Sequence, residues 1–365
     1  MLNGKTVAVV IPAYNEASQV KMVLESIPDF VDRVVVVDDA SKDSTVEIVK
    51  RYMDGNTGKA TAVGSMEEPL ASNLYNKAEL VAKEILSKEE NRYTPHTIYP
   101  KDESSTRTVL IRHKHNAHVG AAIATGYKWC RDHKIFCTAV LAGDGQMDPD
   151  ELINICSPVV YEDIDYVKAN RLSHRSALFV VPKLRFFGNS VLSLLTKIAS
   201  GYWHISDTQT GFTAISLRAL EAIRIHKIYK SYGVPNDILV KLNIAFCTVK
   251  EVPSKPVYHI GERSKMNELK VVPRIGWLLF KSFWVRLYSK YLFRDFHPLF
   301  LLYHLGIVLL LIDIPYIIQA TTSVVPGEFL PLPNMLIFTF LTISGLQTLF
   351  FAMWMDMMDN ERLQK

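Results

Sequence analysis

Three segments of the chain place carboxylates and small polar residues directly after short β-branched runs: Pro12-Ala13-Tyr14-Asn15-Glu16, Val37-Asp38-Asp39-Ala40-Ser41-Lys42-Asp43, and Ala142-Gly143-Asp144-Gly145-Gln146-Met147-Asp148-Pro149. One such segment alone is an ordinary strand-to-helix turn with a capping acid. Three on one sheet edge repel one another unless a cation or hydrogen-bond donors fill the space between them. Hard divalent ions take such oxygen ligands together with phosphate. An acidic pocket, a metal and a nucleotide diphosphate therefore form a coherent set.

The elements that must position these residues alternate. Val7 to Ile11 and Val34 to Val37 are apolar without polar alternation, the pattern of parallel strands buried on both faces. Each precedes a helical pattern: Val20, Val23, Leu24 and Ile27 after the first, and Val46, Ile48 and Val49, capped by Asp43 and Ser44, after the second. Val109 to Ile111 reads as a third strand, Ala121 to Asp132 as a helix and Thr138 to Leu141 as a fourth strand. Repeated strand-helix units predict an α/β fold with a mainly parallel sheet and ligands outside the carboxyl ends of its strands. Residues 54–107 break the rhythm. They are polar, contain Pro69, Pro95 and Pro100, and hold one amphipathic helix with Leu74, Ala78, Val81 and Ile85 on a single face, which reads as a surface insertion.

The first turn lacks G-x-G-x-x-G and no G-x-x-x-x-G-K-[ST] occurs, which disfavours a dinucleotide-binding Rossmann domain and a P-loop NTPase. With 41 Lys plus Arg against 37 Asp plus Glu, the net charge of +4 gives no nucleic-acid footprint. Apolar residues at 48% and charged residues at 21% exclude a disordered chain. Cys130, Cys137, Cys156 and Cys247 show no CxxC pairing and read as buried thiols in a reducing compartment. The run after Lys5 stops at Pro12, too short for a signal peptide, so the N-terminal domain is expected in the cytoplasm. His113, His115 and His118 straddle a strand end and a helix start without cysteine partners, a poor zinc site; phosphate contact or solvation is the expected role.

The apolar residues gather at the far end. Pro298 to Ala320 and Leu330 to about Met355 are each long enough to cross a hydrocarbon core, which takes about 20 helical residues. Their link, Thr321 to Phe329, has no Lys or Arg, whereas Lys281, Arg286, Lys290 and Arg294 crowd the approach to the first span, so both termini are expected on the cytoplasmic side of the cell membrane. Asp313, two residues before Pro315, is expected at a helix-helix contact or an interfacial kink. Ile275 to Phe296 mixes Trp277, Phe280, Trp284 and Tyr288 with those basic residues and resembles an interfacial helix whose cations meet anionic lipid.

Together, Pro12 to Glu16, Val37 to Thr45, Asn116 to Ala122 with Gly126, Asp144 to Gln146, Asp207 to Phe212 and Gly261 to Lys265 resemble the ordered motifs of family 2 glycosyltransferases, and within them the polyprenyl-phosphate hexosyltransferases of the dolichyl-phosphate mannose synthase group. The resemblance covers residues 5–266 apart from the insertion. It implies a GT-A catalytic domain at 1–266, amphipathic juxtamembrane helices at 267–297, and a two-helix transmembrane region with a short cytoplasmic tail at 298–365. It implies that Pro12, Tyr14, Glu16 and one or both of Asp38 and Asp39 hold the nucleoside and that Lys265 closes over the phosphates. Asp144 matches the last acid of the family's D-x-D motif and Gln146 a metal-side glutamine, for Mg2+ or Mn2+. Ala142 stands where that motif has its first aspartate, with Asp148 as a substitute ligand or a helix start. Arg171 and Arg185 match basic positions near the lipid phosphate. Asp207 and Gln209 fall on the acceptor side, and Asp237 falls where related enzymes carry a base. A phosphate monoester acceptor is already ionised near neutral pH, so Asp237 need not remove a proton.

The implied activity is inverting transfer of a hexose from a nucleotide diphosphate sugar of the GDP-mannose or UDP-glucose type to a polyprenyl phosphate at the cytoplasmic membrane face, compatible with a homo-oligomer. Two alternatives remain open: a membrane glycosyltransferase acting on a hydroxyl, although the Q-x-x-R-W signature of processive enzymes is missing, and a non-catalytic membrane-tethered sugar-nucleotide binder.

Overall fold

The β-branched runs form the centre of one sheet. The computed structural model describes residues 1–56, 76–102, 106–173, 183–255, 257, 268–322 and 331–365, with only the backbone at 86, 183–187, 189 and 268–271. Its strands are β1 (Val7–Ala13), β2 (Arg33–Asp38), β3 (His96–Tyr99), β4 (Thr108–His113), β5 (Cys137–Val140), β6 (Tyr166–Asn170), β7 (Thr213–Ser216) and β8 (Val249–Pro253), in the spatial order β3-β4-β2-β1-β5-β7-β6-β8. The strands β4, β2, β1 and β5 run parallel. β3 and β7 are antiparallel to their neighbours, and β6 and β8 pair in parallel with each other. Because β7 reverses direction once and β6 reverses it again, the carboxyl ends of β1, β2, β4, β5, β6 and β8 and the amino end of β7 all lie on one edge.

Helices cover both faces, as expected for an α/β domain of the GT-A type. The helices are α1 (Val20–Glu25), α2 (Thr45–Gly55), α3 (Lys77–Glu90), α4 (Val119–Asp132), α5 (Leu152–Tyr161), α6 (Lys183–Ser200), α7 (Leu217–Ala222), α8 (Val234–Ile244), α9 (Glu268–Tyr288), α10 (Leu299–Thr322) and α11 (Leu332–Glu361). Alternation along β1 divides the core: Ala8 and Val10 pack with Ala122, Tyr127 and Leu239, while Val7, Val9 and Ile11 pack with Val23, Leu24, Val46 and Val49. α4 lies so close to β1 that a Cβ on Gly126 would stand 2.3 Å from Val10 Cγ1.

The insertion differs from the expectation. Its C-terminal part supplies β3, which pairs antiparallel with β4 and extends the sheet. The helix exists as α3, but Ala78, Val81 and Ile85 are exposed rather than turned to a core, and Pro69 and Leu74 lie outside the described residues.

α10 and α11 are long and apolar enough to cross a bilayer, with mean hydropathy 2.1 and 1.8 and only 17% of each apolar window buried, whereas the core helix of a soluble domain is mostly buried. They form a hairpin in which Asp313 is fully buried and accepts from Thr342 Oγ1 at 2.5 Å, so Asp313 makes the expected helix-helix contact. α9 exposes Trp277 and Phe280 while burying Ile275 and Leu279 against α6 and α8.

The basic approach to the first span is a partial correction. Lys281 and Arg294 are exposed, but Arg286 and Lys290 turn inward. Arg286 donates through Nη1 and Nη2 to Asp356 of α11 at 2.7 and 2.8 Å, and through Nε and Nη2 to the carbonyls of Ala199 and Ile198 at 2.9 and 3.0 Å. Lys290 donates to Asn360 at 2.5 Å and pairs with Asp359 at 3.0 Å. Tyr291 donates to Asp356 at 2.7 Å. A chain leaving water cannot carry these charges alone, so each cation takes an anion from the neighbouring helix. The residues expected as a short tail continue α11 to Glu361 and then dock on the sheet edge: Val249 N–H donates to the Leu363 carbonyl at 2.8 Å, and Lys365 N–H to the Val249 carbonyl at 3.1 Å. The sheet is thereby fastened to the C-terminal end of α11.

Candidate active site

The β1 and β2 turns are knitted together by their own polar residues. Asn15, in the left-handed region at φ 55°, donates from its N–H to Ser41 Oγ at 3.0 Å and accepts from Lys42 N–H through Oδ1 at 2.8 Å. Glu16 N–H donates to Thr45 Oγ1 at 2.9 Å. These bonds hold Pro12, Tyr14 and Glu16, all half-buried, on the rim above β2.

Asp38 and Asp39 end β2 with different surroundings. Asp38 is fully buried, accepts from Ser41 N–H, and has Arg112 Nε at 3.6 Å. Burial pushes its carboxyl above the usual range, with the Ser41 bonds and Arg112 opposing. Asp39 Oδ1 accepts from Ala117 N–H at 2.8 Å and faces His113 Nδ1 at 2.8 Å, while Oδ2 accepts nothing among the described residues. His113 uses its other nitrogen on Thr125 Oγ1 at 3.0 Å. Neither phosphate contact nor solvation describes His113, therefore: it is a buried strut that orients Asp39.

The β5 loop turns on Gly145, at φ 75°, a backbone angle that suits glycine. Asp144 Oδ1 accepts from Gln146 N–H at 3.0 Å, closing the turn. Ala142 N–H is held by Met147 Sδ at 3.2 Å, and Asp148 caps the following turn by accepting from Asp150 N–H at 3.0 Å. Asp148 thus starts the following helix through Oδ1. Among the described residues no group of three His, Cys, Asp or Glu gathers to hold an ion unaided. The donor set of Asp144 carboxylate and Gln146 amide fits a hard cation whose remaining ligands are diphosphate oxygens and water.

On the β6 side, Asp207 is buried and accepts from Arg171 Nε and Nη2 at 2.8 and 3.1 Å, from Arg171 N–H at 3.1 Å and from Thr210 N–H at 3.2 Å. Burial raises its carboxyl, but Arg171, helped by Lys168, outweighs that and leaves it below the usual range. Gln209 bonds Thr208 Oγ1 at 2.9 Å in the same loop. A Cβ on Gly211 would lie 3.5 Å from Met147 Cε, so the Asp207 loop touches the Asp144 loop.

Two residues missed in the sequence complete this cluster. Lys168 is fully buried on β6 and donates to the Thr210 carbonyl. Glu251 on β8 accepts from the N–H groups of Ser206 and Asp207 at 2.8 and 2.9 Å and from Asn170 Nδ2 at 2.8 Å. Burial lowers the Lys168 ammonium to about 8, against the attraction of Asp207 and Glu251, and raises the Glu251 carboxyl. Lysine inside a strand with strand-like neighbours was the available signal, since a buried ammonium needs several acceptors.

Asp237 has partners of its own. It accepts from Tyr229 N–H at 2.7 Å and from Lys241 Nζ at 2.5 Å in the first turns of α8. The adjoining Lys230 carbonyl accepts from Gly120 N–H at 2.8 Å, so Asp237 braces the loop on which α4 begins. The side chain of Arg185, on α6, and all of Lys265 lie outside the described residues.

Polar turns over β1 and β2, an acid turn on β5 and an arginine-carboxylate pair on β6 thus share one edge of the sheet. Residues 8–63 match glycosyl transferase family 2. The chain is similar to a UDP-N-acetylglucosamine–dolichyl-phosphate N-acetylglucosaminyltransferase of Methanococcus voltae, 26% identical over 255 residues that cover 70% of this chain and 86% of that protein. It is similar also to an uncharacterized protein of Methanocaldococcus jannaschii, 24% identical over 258 residues, 70% of this chain and 84% of that one. Among solved structures, glucosyl-3-phosphoglycerate synthase from Mycobacterium tuberculosis aligns over 78% of this chain and 80% of its own with 15% identity and a TM-score of 0.46. Over residues 8–63 and along its length the chain resembles family 2 glycosyltransferases. Within that family it resembles the polyprenyl-phosphate sugar transferases.

Proposed function

We propose that the enzyme moves a sugar from a nucleoside diphosphate donor to a polyprenyl phosphate at the cytoplasmic membrane face, with inversion. The observation that carries this reading is that the acid turn of Asp144 and the Arg171-Asp207 pair meet on one sheet edge, in a domain fastened by β8 and Arg286 to a spanning helix. The relative's dolichyl-phosphate acceptor supports the acceptor class, and its UDP-linked donor extends the choice of sugar beyond GDP-mannose and UDP-glucose. In this reading residues 1–266 perform transfer, 267–297 lie at the interface and 298–365 span and dock. Met1, bonded to Phe30 and Asp32, and Lys365, bonded to Val249, both lie on the catalytic domain, which supports both ends facing the cytoplasm.

Tyr14 offers a stacking face, and Asp39 Oδ2, with Asp38, Pro12 and Glu16 around it, accepts from a base N–H or a ribose hydroxyl. Asp144 and Gln146 would hold Mg2+ or Mn2+, which when bound offsets charge on the departing diphosphate; Lys265 is proposed to add to that. An oxygen of the acceptor phosphate attacks the anomeric carbon as the bond from that carbon to the β-phosphate oxygen breaks, and the nucleoside diphosphate leaves. The attacking oxygen is already anionic, so Asp237 positions the α4 loop rather than taking a proton. Arg171 and Arg185 attract the acceptor phosphate. Asp207 fixes the Arg171 fork, so that the guanidinium is pre-oriented at the site, and Gln209 lines the acceptor side. Spanning helices confine lipid and site to one surface and raise their effective concentration.

The full chain in lipid, given a panel of nucleotide sugars and polyprenyl phosphates with Mg2+ or Mn2+, should yield a glycosyl phosphodiester lipid. A neutral glycoside or polymer would instead indicate a hydroxyl acceptor.

Lys168 gives this reading a pH signature. Its ammonium supports the Thr210 loop and adds positive field below about pH 8. As pH rises through 8 the charge is lost, and acceptor KM should rise about five- to tenfold, the worth of one charge at modest screening. In Lys168→Met the KM should be high and flat over the same range; an unchanged wild-type profile would remove Lys168 from the account. For folding, the sign is opposite: because the folded pKa is below the unfolded one, this group's contribution to stability increases with pH between about 8 and the ordinary lysine range.

A further inference from the structure

Gln347 is exposed on the outer face of α11, within a spanning helix. It lies about 14 Å along the helix from Asp356 and about 22 Å from Leu332, at 1.5 Å per residue, and so falls well inside the hydrocarbon. Its amide makes no hydrogen bond among the described residues. Several neighbouring polar groups of the hairpin are bonded: Thr339 and Thr348 bond the carbonyls of Met335 and Ser344, Thr342 bonds Asp313 Oδ2, and Asn334 bonds Gln319. Tyr303 OH and Asp313 Oδ1 make no bond among the described residues but are buried inside the protein, whereas Gln347 faces outward. α10 cannot reach Gln347. The two helices pack through Gly306 and Gly345, where an added Cβ would strike Leu349 at 2.8 Å and Leu310 at 2.7 Å, and Gln347 is about 200° around the helix from Gly345.

Around the amide runs a groove lined by Ile343, Leu346, Gln347, Phe350, Phe351 and Trp354. The positions 343, 347, 350 and 354 recur at spacings of four, three and four, the seam of a left-handed helix pair. An amide left in hydrocarbon without a partner is costly, and lipid tails offer no donor or acceptor. A carboxamide is its own complement, donating and accepting at once, and a two-fold axis brings identical positions face to face.

We propose that two copies of this chain pair through this face of α11, with Gln347 of each hydrogen-bonded to Gln347 of the other. The occupant is a second copy because the seam offers a group that is self-complementary and uncharged; an ionised headgroup or a charged partner helix would meet no counter-charge there. The inference rests on α10 and α11 spanning a membrane and is independent of which acceptor the enzyme uses.

Two measurements on the full chain in phosphatidylcholine vesicles test it. Fluorescence transfer between labelled copies, followed on dilution with lipid, should report dimers, and Gln347→Leu, which keeps size and apolarity, should weaken them about tenfold, as expected for losing interhelical polar bonds in a bilayer. Because the four native cysteines are buried, oxidation of a Gln347→Cys variant should give a disulfide-linked pair, whereas Leu301→Cys, on the exposed face of α10, should not. Copies that stay monomeric when crowded, dimers indifferent to Gln347→Leu, or crosslinking at 301 instead of 347 would overturn the proposal. The first of these would mean that a different membrane helix covers the amide.

Discussion

Asp144→Asn lowers kcat about 100- to 1,000-fold and leaves the fold unchanged. The asparagine oxygen can still accept from Gln146 N–H, so the turn closed at 3.0 Å survives while the charge is lost. Ala142 provides no second acid beside it, and Asp148 Oδ1 is engaged in capping the following turn. The magnitude is that of removing one preorganised group that offsets charge on a departing oxyanion. Turnover with saturating donor and acceptor, beside a melting curve in detergent, measures both halves. Activity within threefold of wild type at limiting metal would show that Asp144 does not serve the leaving group.

Arg286→Met destabilises the docking of the catalytic domain on the spanning helix by about 3–5 kcal/mol, the cost of removing one partner from a buried pair. Arg286 and Asp356 both have no exposed surface, and Arg286 also holds the C-terminal end of α6 through the Ile198 and Ala199 carbonyls. The loss leaves Asp356 buried with Tyr291 and Asn360 as its remaining donors. Replacing both partners, Arg286→Met with Asp356→Leu, should recover much of the stability, because an apolar pair has no charge to desolvate. Thermal unfolding and limited proteolysis between residues 200 and 290 report the change. A single variant within 1 kcal/mol of wild type would mean that the pair adds nothing to docking.

The two effects separate chemistry from attachment, and they differ in how visible they were beforehand. The strands β1, β2, β4 and β5 were legible because β-branched runs buried on both faces have no other good solution, and the acids at 38, 39 and 144 were legible because they directly follow those runs. Parallel pairing then puts them on one edge without further information. β3 was not legible: four residues with half-buried alternation, reached across a polar insertion, owe their conformation to the open edge of β4. The face of Val81 and Ile85 looked like a core face by period alone, but period cannot say whether a partner surface exists, and here both stay exposed.

The buried ion pairs were hidden by distance along the chain. Lys168 meets Thr210 and Glu251, and Arg286 meets Asp356, across dozens of residues, and nothing local marks which of several basic residues near a membrane will turn inward. The charge bias that orients spans counts Arg286 and Lys290 alike with Lys281 and Arg294, although the structure uses the first two as internal ties. Arg171 illustrates the same point within the site: its motif implied phosphate contact, and its fork is already bound to Asp207, which sets its orientation. Glu251 follows, since a second carboxylate near Asp207 is compatible with burial only because Lys168 and backbone N–H groups converge on the two acids.

In the proposed reaction a sugar passes from a nucleoside diphosphate to the phosphate of a polyprenyl lipid. Its most direct test is mass spectrometry of the lipid fraction after the purified full chain is incubated with a donor panel, polyprenyl phosphate and a divalent cation. The expected product is the polyprenyl phosphate heavier by one sugar residue, formed with release of one nucleoside diphosphate and cleaved by mild acid back to the two parts. Donor consumed with the sugar found on a lipid hydroxyl, or no sugar on any lipid while donor binds, would contradict it.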